Sequence, residues 1–280
     1  MADFFDLLKP ARLTSIVDVG ASPVEGPPVY RAMLEEGLCT VIGFEPNPAA
    51  WEELNAKKRP MGEVYLPYAI GAIAGKRVMN TCKKSGMDSL LERDTAAQNA
   101  FESFAAWGTV TGKQEIHVVP LDIVEEITAM DMLCMDVQGC EVEVLHSAQQ
   151  KLTGAVAVLT EVSWVPLYKE QAPFGVTDLV LRRAGFLPHC FVEAKLWPIH
   201  TLGGTIPGTP EPHQLLESDI LYVRDFTRAM SPEQWKQLAM VAHYIAGSPD
   251  LAMRCVAFLE THGQLPPKSK EAYTRILEAM

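Results

Sequence analysis

The stretch Val17-Asp18-Val19-Gly20-Ala21-Ser22 ends an apolar run in glycine, and it sets the fold class. In a doubly wound sheet, the turn after the first strand is where the ligand crevice opens. A glycine there lets the main chain approach a ligand closely. Twenty-five residues further on, a second apolar run ends in Glu45. A carboxylate at the end of the second strand accepts hydrogen bonds from the hydroxyls of a ribose, a device of enzymes that use nicotinamide cofactors or S-adenosylmethionine (SAM).

Outward from this point, short apolar runs alternate with helical patterns. Strands are expected over 15–19, 39–44, 64–69, 115–121, 132–135, 155–160 and 220–223. Helices are expected over 29–36, 49–58, 141–148 and 177–184, with another around 96–106. Such alternation builds a parallel sheet with helices on both faces. Residues 198–214 hold Pro198, Gly203, Gly204, Pro207, Gly208, Pro210 and Pro212 and form a long loop, a place where function often sits. After Arg228 the pattern turns helical. Ser231-Pro232-Glu233-Gln234 is an N-cap with a first-turn proline and a capping-box glutamine. Further starts lie at Ser248 and near Ser269, with Gly247 and Gly263 as stops. The expected division is a ligand-binding domain over 1–228 and a small helical appendage over 229–280.

The 280 residues are 48% hydrophobic and 21% charged, which suits a globular chain and excludes a disordered one. The formal charge is −11, from 24 basic and 35 acidic residues. Phosphate backbones are repelled, and Lys57-Lys58-Arg59 and Lys83-Lys84 are too short to make a basic patch, so no nucleic-acid partner is expected. The six cysteines form no CxxC pair and no zinc-type spacing; reduced thiols and a cytoplasmic location are expected. No run of about 20 apolar residues is present, so no membrane partner is expected.

The glycine pattern selects between the two ligand types. A dinucleotide fingerprint is G-x-G-x-x-G. Here Gly20-Ala21-Ser22-Pro23-Val24-Glu25-Gly26 lacks its second and third glycines, and Glu25 adds negative charge where a pyrophosphate would sit. SAM has no phosphate and carries a sulfonium cation, which an acidic crevice suits. Gly71-Ala72-Ile73-Ala74-Gly75-Lys76 and Gly108-Thr109-Val110-Thr111-Gly112-Lys113 approach a P-loop but are one residue short between the glycines.

Two more strands run into carboxylates. Cys134-Met135-Asp136-Val137-Gln138-Gly139-Cys140-Glu141 carries Asp136 at a strand end, and Leu159-Thr160-Glu161 carries Glu161. As neighbours at the carboxyl edge of the sheet, the two can shift each other's pKa, hold a divalent cation or share acid–base work. Glu141, in a first helical turn, reads first as a partner of the helix dipole. His189, His200 and His213 lie in the loop-rich region before the last strand; His200 and His213 are candidates to take a proton, and each can equally be structural.

The segments Val17–Ser22, Gly43-Phe44-Glu45-Pro46-Asn47-Pro48, Leu121-Asp122, Met135-Asp136-Val137-Gln138-Gly139-Cys140-Glu141 and Thr160-Glu161 occur in that order. Together they resemble the FkbM family of SAM-dependent methyltransferases, over about residues 15–225. The resemblance implies a seven-stranded, mostly parallel class I methyltransferase sheet and O-methylation of a hydroxyl on a sugar, glycan or polyketide-type small molecule. By position it sets Gly20 against the methionine part of SAM, Glu45 on the ribose, Tyr68-Ala69-Ile70 beside the adenine and Asp136 towards the methyl-transfer site. Gln138 stands where the family commonly has an acid.

The candidate cofactor-binding set is Asp18, Gly20, Ala21, Ser22, Glu45, Pro46, Asn47, Tyr68, Ala69, Ile70, Asp136 and Val137. The catalytic candidates are Asp136, Glu161, His200 and His213. The expected cofactor is SAM; a divalent metal is the lesser alternative, since carboxylates alone make a loose site and no His stands at ligand spacing. The competing readings are a nicotinamide-dependent oxidoreductase and a non-catalytic scaffold on the same fold. The apolar stripe of the last helices, with Trp235, Leu238 and Phe258, must be buried, on the sheet or in a homo-oligomer.

Overall fold

The computed structural model describes residues 2–22, 26–59, 61–204, 206, 208 and 211–279. Pro23, Val24 and Glu25 of the first loop, and Pro207 and Pro210 of the long loop, lie outside the described residues. The strands are β1 Thr14–Val19, β2 Cys39–Phe44, β3 Glu63–Leu66, β4 Ala69–Ile70, β5 Gly75–Cys82, β6 Val110–Val119, β7 Met132–Met135, β8 Ala157–Ser163, β9 Phe186–Trp197 and β10 Gln214–Arg224. The helices are α1 Ala2–Leu8, α2 Arg31–Glu35, α3 Pro48–Lys57, α4 Thr95–Asn99, α5 Phe104–Trp107, α6 Glu141–Ser147, α7 Phe174–Arg183, α8 Pro232–Tyr244, α9 Pro249–Thr261 and α10 Ser269–Glu278.

Seven strands form one sheet in the order β3-β2-β1-β7-β8-β10-β9. Neighbours from β3 to β8 pair in parallel, and β10 runs antiparallel to both β8 and β9. This is the mostly parallel seven-stranded class I sheet that the resemblance implied. The strand order reverses between β1 and β7, so a crevice opens at their carboxyl ends. A second sheet, β4-β6-β5, stands beside it.

Successive residues of the central strands go to opposite faces, which is why their runs are apolar throughout. Ile16, Val41, Met132, Ala157 and Leu221 enter one core with Trp235, Leu238, Val241 and Leu259 of α8 and α9. Val17, Phe44, Leu133, Val158 and Tyr222 enter the other with Val144, Leu145 and Leu181 of α6 and α7. The C-terminal helices are therefore one layer of the main core. Trp235 stacks on Phe258 with ring centroids 4.2 Å apart. The capping box at Ser231 and Gln234 is formed on both sides.

Several sequence expectations change. The strand expected over 64–69 breaks at Pro67, which has no N–H to give, and Ala69–Ile70 joins the second sheet. The helix expected around 96–106 splits into α4 and α5 at Ser103, whose φ is +71°. The strand expected over 155–160 lies two residues later, so Glu161 sits inside β8. α1, β5 and β9 had no sequence expectation at all.

Candidate active site

At the switch point a crevice of about 340 Å³ is lined by the ends of β1, β2 and β7, by the β3–β4 turn, and by β5 and β6 with the segment after β5. That volume lies in the range of small-molecule pockets. Gly20 is the floor. Its φ is +87°, and a Cβ there would come within 2.1 Å of the carbonyl oxygen of Asp136. The N–H groups of Gly20 and Ala21 both donate to the carbonyl of Phe44, each at 3.1 Å, so the β1 turn is tied to β2.

Glu45 follows β2 and is 6% exposed. Its Oε1 accepts the Asn47 N–H at 2.7 Å. Asn47 in turn caps α3, accepting from the N–H groups of Ala49 and Ala50, with Pro48 in the first helical turn. The Glu-Pro-Asn-Pro run thus starts a helix and fixes the carboxylate at the rim. Burial pushes the Glu45 carboxyl up to about 7.

Of the candidate cofactor-binding residues, Gly20, Ser22, Glu45, Pro46, Asn47, Tyr68, Ala69, Ile70, Asp136 and Val137 line the crevice. Asp18 and Ala21 do not. Asp18 accepts a hydrogen bond from the Tyr30 hydroxyl, and burial raises its carboxyl to about 6. Ala21 is buried behind the turn. Glu45, Glu53, Asp88 and Asp136 line the crevice, with no Lys, Arg or His among its described residues. A sulfonium suits such walls, and a pyrophosphate does not.

Asp136 follows β7 and faces both the crevice and a polar cluster beyond it. Gln138, at a φ of +51°, donates from Nε2 to Asp136 Oδ1 at 2.8 Å and to Glu161 Oε2 at 3.4 Å. Its Oε1 accepts the Tyr168 hydroxyl at 2.9 Å. Asp136 Oδ2 receives no hydrogen bond among the described residues. Glu141 accepts the N–H groups of Val137 and Gly139, at 3.3 and 3.1 Å, and so holds this turn from below. Asp122 likewise serves the main chain, at Gln150 and Lys151.

Glu161 is buried, and Lys195 Nζ on β9 lies 2.6 Å from its Oε1 and 3.5 Å from Asp219 Oδ2 on β10. Burial raises Glu161, and the charges of Asp136 and Glu217 add to that while Lys195 opposes it. Burial alone would lower Lys195, but Glu161 and Asp219 outweigh it and the ammonium is held charged. Lys195, Tyr168, Glu217 and Asp219 escaped sequence reasoning. The available signals were the alternation Glu193–Lys195–Trp197 and the two carboxylates inside Leu215-Leu216-Glu217-Ser218-Asp219-Ile220.

The structure does not bring His200 or His213 to the crevice. Both are exposed on the segment between β9 and β10, and the His200 N–H donates to Ala100 at 2.8 Å. Among the described residues no group of three His, Cys, Asp or Glu side chains is placed to hold a metal, and no helix is long and apolar enough to cross a membrane. The six cysteines are free thiols.

The sequence profile of the methyltransferase FkbM domain matches residues 18–188, more than half of the chain. The chain belongs to the FkbM family of SAM-dependent methyltransferases. Among solved structures, this FkbM-family chain is similar to methyltransferase FkbM from Methylobacillus flagellatus KT, at 13% identity and a TM-score of 0.40, covering 75% of this chain and 43% of that one. It therefore spans less than half the length of that protein. It is also similar to precorrin-6y C5,15-methyltransferase from Geobacter metallireducens GS-15, at 11% identity, a TM-score of 0.36 and coverages of 80% and 87%. A third is Sp1610 from Streptococcus pneumoniae in complex with SAM, at 10% identity, a TM-score of 0.37 and coverages of 99% and 99%. No curated protein matches the chain.

Proposed function

We propose that this FkbM-family chain O-methylates a hydroxyl group of a small molecule of the sugar, glycan or polyketide type, with SAM as methyl donor. The observation that carries this reading is Asp136. One carboxylate oxygen is fixed by Gln138 and the other has no partner among the described residues, at the junction of the acidic crevice and the Lys195 cluster.

SAM, when bound, supplies an electrophilic methyl carbon on a sulfonium. Glu45 accepts hydrogen bonds from the ribose hydroxyls, and Gly20 leaves room for the methionine part. Tyr68, Ala69 and Ile70 give the adenine an apolar wall. Asp136 orients the acceptor hydroxyl and takes its proton as the oxygen becomes the nucleophile. Glu161, held by Gln138 and Lys195, keeps that carboxylate in place. Positioning the two reacting atoms about 3–3.5 Å apart supplies much of the rate.

The test uses SAM with a deuterated methyl group and a panel of hydroxylated acceptors. A product with one labelled methyl ether, formed with S-adenosylhomocysteine, is expected. Methylation on nitrogen or carbon throughout the panel, or binding of NAD in place of SAM, would refute it.

A further inference from the structure

The polar cluster beyond Asp136 holds more negative charge than its own residues balance. Across the ladder Glu161 stands opposite Asp219, and Glu217 opposite Lys195. Carboxylates directly opposite one another in a sheet are destabilising. Lys195 answers Glu161 and Asp219. Glu217 is left over. It is 9% exposed, and no hydrogen bond or ion pair reaches its carboxylate among the described residues. Its oxygens keep some contact with solvent, and a carboxylate so largely buried without a partner is costly. Burial pushes it up to about 7, with Lys195 pulling the other way and Asp136 adding to the rise. Among the described residues, Asp136, Glu161, Glu217 and Asp219 together face a single ammonium, and the adjoining crevice contributes further carboxylates and no cation. The side chains of Lys195 and Asp219 are 23% and 24% exposed, so the cluster opens to solvent.

We propose that Glu217, with Asp136 and Asp219, is the acceptor subsite, and that the acceptor carries a protonated amine beside the hydroxyl that is methylated, as an amino sugar or aminocyclitol does. This rests on the O-methylation reading of the same site. The ammonium gives N–H donors to the unpartnered Glu217 oxygens and offsets the excess charge. A neutral polyol gives donors but leaves the charge in place. A phosphorylated or carboxylated acceptor is repelled.

The test is calorimetric titration of the full chain, saturated with S-adenosylhomocysteine, near neutral pH, using D-glucosamine and N-acetyl-D-glucosamine as probes. Glucosamine should bind at least about tenfold more tightly, because a charge-assisted hydrogen bond is lost on acetylation. In Glu217→Gln the preference should vanish while S-adenosylhomocysteine binds as before. The melting temperature should hold or rise, since an uncompensated buried charge has been removed. Equal binding of the two probes, binding of neither, or a preference that survives in Glu217→Gln overturns the proposal. So does a lowered melting temperature, which would make Glu217 a structural partner of Lys195. S-adenosylhomocysteine is titrated first; its failure to bind counts against the methyltransferase reading itself and takes this proposal with it.

Discussion

Glu45 offers a quantitative handle on the crevice. Its carboxyl is pushed up to about 7 by burial, and Asn47 supplies only one main-chain donor. A ribose diol would donate two more hydrogen bonds and favour the charged form, so ligand binding must release a proton when the free protein is protonated. Affinity therefore rises with pH until about 7 and then levels. At about pH 6 roughly one-tenth of the free protein carries the carboxylate, so the ribose ligand binds about tenfold more weakly than on the plateau, about 1.4 kcal/mol. Adenosine is the probe of choice, because it presents the ribose without the titrating amino group of SAM. Calorimetry from about pH 5.5 to pH 8.5 should show this profile in the native protein. Glu45→Gln should flatten it and weaken the plateau by about 1.5–3 kcal/mol. Asp88 also lines the crevice and its charge adds to the rise of Glu45, so Asp88→Asn is the control that should keep the pH-dependent rise, moved to lower pH. Adenosine binding that is independent of pH, or a profile unchanged in Glu45→Gln, would refute Glu45 as the ribose acceptor.

Gly20→Ala places a Cβ against the Asp136 carbonyl at a positive φ. Strain and overpacking should lower the unfolding free energy by about 2–4 kcal/mol, read from urea titration, and abolish adenosine binding. Trp235→Ala empties a fully buried site between the sheet and Phe258 and should lower stability by about 3–5 kcal/mol; a loss below 1 kcal/mol would show that the tail is not part of the core. Burial raises the thiols of Cys39, Cys140 and Cys255 to about 12, so these three should resist alkylation near neutral pH until the chain unfolds, as followed by mass spectrometry.

The parts of the site that the sequence made legible are those where one residue type meets one geometric demand. Gly20 is such a case, since no side chain fits beneath the Asp136 carbonyl. Glu45-Pro46-Asn47-Pro48 is another, because a strand end, a helix cap and a proline compatible with the first helical turn are all written in it. The sheet itself followed from apolar runs, as both faces of its central strands are covered. The polar cluster around Lys195 was not legible. β9 is an edge strand with Pro188 inside it and Phe191, Val192 and Leu196 exposed, so it shows neither a buried run nor clean alternation. With β9 unseen, Lys195 had no place beside Glu161. The polar face of β10 was likewise hidden, because only its apolar end over 220–223 carries a strand pattern. The histidines drew attention by chemistry alone, and the fold leaves His200 and His213 on the surface.

We propose that Asp136 takes the acceptor proton during methyl transfer. This role is tested most directly by single-turnover methyl transfer in the native protein and in Asp136→Asn, with SAM affinity measured alongside. The substitution keeps the size of the side chain and removes its charge. The expected result is a fall in rate of about 10²-fold or more with SAM affinity nearly unchanged. Turnover at the native rate in Asp136→Asn would contradict it.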